Sequence, residues 1–209
     1  MANCCFTEVV IKHEDREKLK ELSEKIIEWE KPYKGCTEAN NWLGNIVANS
    51  GIESDIHMIS DSVCGKTRIY PKLQTRCRGE LCDIAYDEEN GEIVLSTDTA
   101  WEPMLQMWVR ICEKFAPGAQ LLYTAEELSN GLLATNDPDY ENCWFFDPYD
   151  YRDLVSDYCM TEDALVEVMR DLLGRKDGTL DDLSGDFDDR FGEQIGLHKW
   201  SMVPISAWG

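Results

Sequence analysis

Leu81-Cys82-Asp83-Ile84-Ala85-Tyr86, Asp87-Glu88-Glu89-Asn90-Gly91 and Glu92-Ile93-Val94-Leu95-Ser96-Thr97 form the stretch on which the reading of the fold turns. Two strand-like runs flank Asn-Gly, the dipeptide that most readily supplies positive φ in a tight connection, so the stretch predicts a β-hairpin. Upstream, Phe6 to Lys12 has the alternating, β-branched character of a first strand. Between His13 and Glu30, Leu19, Leu22, Ile26 and Trp29 recur at spacings of three and four, which predicts a helix capped by Asp15 and ended by Pro32. Downstream of Pro103, Met104, Met107, Trp108, Ile111, Cys112 and Phe115 make one apolar stripe, closed by Ala116-Pro117-Gly118, and Ala119 to Thr124 returns as a strand.

The order is therefore strand, helix, insertion, hairpin, helix, strand. It predicts an α+β fold of the ferredoxin-like split βαβ kind, an antiparallel sheet with two helices on one face. The insertion spans about 31–80, and Thr37 to Asn49 within it reads as a short helix carrying Trp42 and Ile46. Gly131 to Thr135 and Cys143 to Phe146 read as extensions of the sheet. Thr161 to Leu173 reads as a helix with Thr161 as cap and Gly174 as stop. The expected organisation is a domain over 1–146 and an acidic C-terminal extension over 147–209. Asp177 to Glu193 reads as an acidic surface loop, and the apolar residues after it, from Ile195 to Trp208, are expected to dock that end on the body.

Composition bounds the function. The 209 residues are 43% hydrophobic, enough to bury a core despite a net charge of −21. No apolar run approaches the roughly 18–20 residues that span a bilayer, and the first residues lack the pattern of a secretion signal, so a cytoplasmic protein without a membrane segment is expected. Nine scattered cysteines read as reduced thiols rather than a disulfide framework. Residues 1–80 carry 13 acids and 12 bases, whereas 81–209 carry 28 and 8. A field of that sign repels phosphate backbones and attracts basic partners, although a charge run can also be no more than a solvated face.

The chain resembles the YubB ferredoxin-like family, carried on plasmids, phages and other mobile elements. The matching residues are Met1, Asn3 and Cys5, the pair Asn41-Trp42, and Thr97-Asp98-Thr99-Ala100-Trp101-Glu102-Pro103 running from a strand into a helix. Phe115, Tyr123, Glu126-Glu127 and Gly131 continue the likeness, which covers about 1–146. Related chains usually follow Asn-Trp with a Gly-Thr-Lys-Trp-like run; here the residues are Leu43-Gly44-Asn45-Ile46. The resemblance implies the fold and a mobile-element setting and brings no catalytic residues. Apart from it, the strand-to-helix junction suits Trp101 for plugging the end of the core.

Each chemical motif has a plainer reading. Cys77 and Cys82 lack a second pair at zinc spacing, and His13, His57 and His198 lie far apart. Cys64-Gly65-Lys66-Thr67 ends like a phosphate loop, but Ser60 stands where the first glycine is needed. Asp182, Ser184, Asp186, Asp188 and Glu193 fit a calcium-loop frame except that Phe187 occupies the glycine position. No metal, cofactor or catalytic residue is expected.

The functional expectation is a non-enzymatic accessory protein that binds a basic protein, in the extreme as an acidic DNA mimic or anti-defence protein. Its expected contact residues are Trp144, Phe145, Asp147, Tyr149, Asp150, Tyr151, Asp153 and Asp157, where aromatic anchors alternate with carboxylates. Two alternatives are an enzyme with facing buried carboxylates, and a nucleic-acid-binding module that clusters Lys66, Arg68, Lys72, Arg76 and Arg78 with exposed aromatics.

Overall fold

The computed structural model describes residues 4–148, 154–192 and 194–208. In chain order the elements are β1 (Cys4–Lys12), α1 (Arg16–Trp29), α2 (Leu43–Ser50), β2 (His57–Val63), β3 (Lys66–Lys72), β4 (Gly79–Asp87), β5 (Glu92–Ala100), α3 (Leu105–Phe115) and β6 (Gln120–Glu127). They are followed by β7 (Leu132–Thr135), β8 (Cys143–Asp147), β9 (Asp157–Thr161), α4 (Glu162–Leu173), α5 (Leu180–Phe191), β10 (Gly196–Lys199) and β11 (Ser201–Met202). The chain is thus a mixed α+β protein, and no described helix is long and apolar enough to cross a membrane.

Two compact units divide it: residues 1–132 with 203–209, and residues 133–202. The division falls earlier than the sequence boundary at 146, because Cys143, Phe145 and Phe146 are packed among residues of the second unit. The last residues return to the first unit, where the Tyr123 hydroxyl donates to the Val203 carbonyl and accepts from the Trp208 indole N–H.

In the first unit β6, β1, β5 and β4 lie side by side in that order, each antiparallel to its neighbours. Alternate residues of β1 are buried, and register stacks them into rows: Val9 lies between Leu95 and Tyr123, and Ile11 between Ile93 and Leu121. Helix α1 starts where the Asp15 carboxylate accepts from the Lys18 N–H, as the sequence predicts, and buries Leu19, Leu22 and Ile26. Helix α1 packs against β4 and β5, and its Trp29 meets Phe115 of α3 with ring centroids 4.9 Å apart. The Asn90-Gly91 hairpin is present; Gly91 adopts φ 71° and the Asp87 carboxylate accepts from the Glu89 and Asn90 amides.

The insertion contains a second hairpin, β2–β3, turned by Cys64 at φ 51° and Gly65 at φ 76°. Two successive positive φ values suit a two-residue hairpin turn, so Cys64-Gly65-Lys66-Thr67 links two strands rather than cradling a phosphate before a helix.

In the second unit β8 is flanked by β10 and β9, and β11 runs parallel to β7. Helices α4 and α5 close over Phe146, Met160, Leu165, Met169, Leu183, Phe187 and Phe191. Thr161 caps α4 and Gly174 ends it at φ 69°, as expected. The acidic stretch read as a loop is instead helix α5: Thr179 and Asp182 form a reciprocal capping box, and Leu183, Phe187 and Phe191 bury one stripe. The calcium-loop frame is lost with the loop. Cys143 and Cys159 form a disulfide across β8 and β9, which corrects the expectation that every cysteine is reduced.

Burial raises the thiol of Cys5 to about 11, and those of Cys77 and Cys112 to about 12. A thiol that ionises later when folded favours the folded state fully below the unfolded pKa and loses that advantage as pH rises through the folded value. Urea unfolding from pH 9 to pH 12 is therefore expected to show falling stability, and replacing Cys77 and Cys112 by alanine to flatten that fall.

Candidate functional site

The resemblance residues Asn41, Trp42, Thr99 and Ala100 come together at one cleft of the first unit. It has a volume of about 380 Å³ and is also lined by Cys4, Glu38, Arg68, Arg78, Glu80 and Asp98. A second lobe of about 480 Å³ shares Glu38, Trp42, Arg68 and Arg78 and adds Tyr70, Lys72 and Thr75. Volumes of this size are those of small-molecule sites.

Local hydrogen bonding sets the wall that bears Asn41 and Trp42. The Leu81 N–H donates to the Asn41 carbonyl at 2.8 Å, and the Asn41 amide donates to Glu80 Oε2 at 3.1 Å and to the Leu81 carbonyl at 3.3 Å. Behind that wall, the fully buried Asn45 amide nitrogen donates to the carbonyls of Ala39, Asn40 and Glu30, while its oxygen accepts from the Tyr33 N–H. The Trp42 ring folds back over Gly44, where an added Cβ would lie 2.2 Å from the ring.

The opposite wall is set by strand register. Gly79 lies opposite Thr99 between β4 and β5, so close that a Cβ would stand 2.3 Å from the Asp98 carbonyl. Thr99 is buried and donates to the Glu102 carbonyl at 2.7 Å. Trp101 departs from the expected plug. By alternation with Ile93, Leu95, Thr97 and Thr99 it belongs inside, but at φ 75° it breaks the alternation and is 53% exposed. Pro103 and Met104 are buried beyond it.

On β3, Lys66, Arg68, Tyr70 and Lys72 alternate onto one face. Arg68 pairs with Glu38 at 2.6 Å, and the Tyr70 hydroxyl donates to Asp61 at 2.9 Å. Arg76 is held by Glu102. Arg78 is exposed, and among the described residues its guanidinium has no hydrogen-bond or ion-pair partner. Three of the five basic residues, Arg68, Lys72 and Arg78, thus line adjoining lobes with Trp42 and Tyr70.

The residues expected to contact a partner are placed less uniformly. Trp144 is half-buried with Lys199 over its ring. Phe145 is 3% exposed and stacked on Tyr158, which makes it an interior residue rather than the partner contact expected of it. Asp147 is half-buried and accepts from the Ser156 hydroxyl; Asp157 is exposed and accepts from the Cys159 N–H. Tyr149, Asp150, Tyr151 and Asp153 lie outside the described residues.

The acidity of the second unit has a clearer bearer. Helix α4 exposes Glu162, Asp163, Glu167 and Asp171, and α5 exposes Asp181, Asp182, Asp186, Asp188 and Asp189. Among the described residues of this unit one ion pair forms, Arg175–Asp186 at 3.0 Å. Hydrogen bonds from Thr179 hold the Asp182 carboxyl below its usual range. The unit carries 18 acids and 6 bases against 23 and 14 in the first unit, so the negative charge is denser there but not confined to it.

Comparison of the chain with family models, curated proteins and solved structures finds no match.

Gly44→Ala tests the geometry of the cleft. Alanine is the better helix former by about 1 kcal/mol, but the Trp42 ring occupies the space of its Cβ. The variant is expected to be less stable than the parent by about 1–3 kcal/mol in urea unfolding, with a shifted tryptophan emission.

Proposed function

We propose that this protein is a non-enzymatic accessory protein of a plasmid, phage or integrated element, and that it works by binding a basic protein through the paired helices α4 and α5. The carrying observation is the set of nine exposed carboxylates on two adjacent helices, with one described ion pair to offset them. Carboxylates held on packed helices need little reordering on association, and their field raises the encounter rate with a positively charged groove. A DNA mimic would act in this way, taking the place of phosphates in a nucleic-acid-binding surface.

The ferredoxin-like reading of the first unit belongs to the same proposal. It is supported by the order β6-β1-β5-β4 with every neighbour antiparallel, and by α1 and α3 following the first and third of the strands β1, β4, β5 and β6. An enzyme with facing carboxylates has less support. The buried Glu127 accepts from Ser129 through Oε1, while its Oε2 has no partner among the described residues, and the enclosed Glu53 is engaged by Thr75, Gln74 and Arg110 in a separate network.

Capture experiments on a lysate of the native host, at low and at high salt, test the proposal. A basic nucleic-acid enzyme is expected to be retained at low salt, released at high salt, and lost when Asp181, Asp186, Asp188 and Asp189 are all changed to Asn. Retention that survives both the salt and the substitutions contradicts it, as does a lysate from which nothing is retained.

A further inference from the structure

We propose that the two-lobed cleft of the first unit binds a single unpaired nucleotide, with the base against Trp42 and the phosphate on Arg78. This site is formed by residues of the first unit and uses groups that the partner-binding reading leaves idle. Four features of the cleft define the ligand.

The first is a flat apolar wall. Trp42 is backed by Gly44, is half-buried and borders both lobes, so a ring entering either lobe meets an indole that is already held in place. Stacking of a base on an aromatic side chain contributes about 1–3 kcal/mol and requires no particular base. The second is an uncommitted cation. Arg68 is occupied by Glu38, whereas Arg78, which borders the same two lobes, has no described partner and offers a planar donor fork suited to a phosphate.

The third is a fixed acceptor beside that cation. Asn41 holds Glu80 through Oε2, which leaves Oε1 without a partner among the described residues. A carboxylate oxygen accepts from the amino or imino hydrogens on a base edge, and a simple inorganic anion offers no such donor. The fourth is the balance of charge. Glu38, Glu80 and Asp98 accompany Arg68, Arg78 and Lys72 around the lobes, within a unit of net charge −9. Such a lining does not follow a run of phosphates, but it suits one base carrying one phosphate.

The occupant is either a free nucleotide or one nucleotide of a single strand, and the arms of the test separate these. Calorimetric titration of the full chain would use the four ribonucleoside 5′-monophosphates, the matching nucleosides, single-stranded oligomers of about four nucleotides, and a duplex. At least one monophosphate or single-stranded oligomer is expected to saturate at one per chain. Saturation by monophosphate assigns a free nucleotide, and saturation by oligomers alone assigns a strand.

Arg78→Gln is expected to weaken binding at least tenfold and to abolish the advantage of the phosphorylated ligand over its nucleoside, with an unchanged circular dichroism spectrum because the side chain is exposed and has no partner among the described residues. Trp42→Phe is expected to remove the ligand-induced quenching of tryptophan emission while retaining binding. Affinity is expected to fall only shallowly with salt, with a logarithmic slope of about −0.7 for one phosphate. The proposal is overturned if no ligand saturates up to millimolar concentration, if the duplex binds as well as the single strand, or if Arg78→Gln binds like the parent.

Discussion

A single buried amide organises the part of this protein that has the character of a site. Asn45 sits at the third position of α2, where a core residue would normally be apolar, and its side chain makes four hydrogen bonds to the backbone between Glu30 and Asn40. A buried polar side chain left unpaired costs about 1–3 kcal/mol, so the fully buried Asn45 amide favours the one path of the segment from α1 to α2 that satisfies it. Asn49 repeats the device one turn later, donating to the carbonyls of Trp29 and Lys31. Because the segment is fixed, Asn41 can lie along the edge of β4, and Trp42 can present one face of its ring to the cleft.

Charge divides the labour of the molecule. In the first unit Lys12, Lys20, Arg68, Arg76 and Arg110 each meet an acid from a distant part of the chain. The second unit has few bases, and the described ones are largely engaged, Arg170 with the Gly178 carbonyl and Arg175 with Asp186. Apart from Asp186, the exposed carboxylates of α4 and α5 have no ion-pair partner among the described residues. Two surfaces of different chemistry result, a negative helix pair and a mixed-charge cleft in which Arg78 has no partner among the described residues.

Much of this was legible in the sequence where the determinants are local. The caps Asp15 and Thr161, the stop at Gly174 and the Asn90-Gly91 turn each act within a few residues, and the apolar stripes of α1, α3 and α4 follow helical period. Helix α5 is hidden in the sequence because aspartate and glycine are weak helix formers; the capping box and the Leu183, Phe187, Phe191 stripe override them once α4 is available to pack against. The β2–β3 hairpin leaves little trace in the sequence because most of its described residues are exposed and no alternation of burial marks it. Asn41, Trp42, Thr99 and Ala100 stood out as motifs, but not as neighbours. Their meeting with Arg68 and Arg78 depends on the register of Gly79 with Thr99 and on the Asn41–Leu81 contact, both set by long-range pairing. Trp101 shows the converse: periodicity directs it inward, and one left-handed residue turns it out.

The ordering role of Asn45 is tested most directly by amide hydrogen exchange in an Asn45→Ala variant. The Leu81 N–H, which donates to the Asn41 carbonyl, should exchange far faster than in the parent, together with amides across 39–44, while those of β1 paired with β5 stay protected. If the Leu81 amide keeps its parental protection, the segment is held by something other than this side chain, and the account of how the cleft is built is wrong.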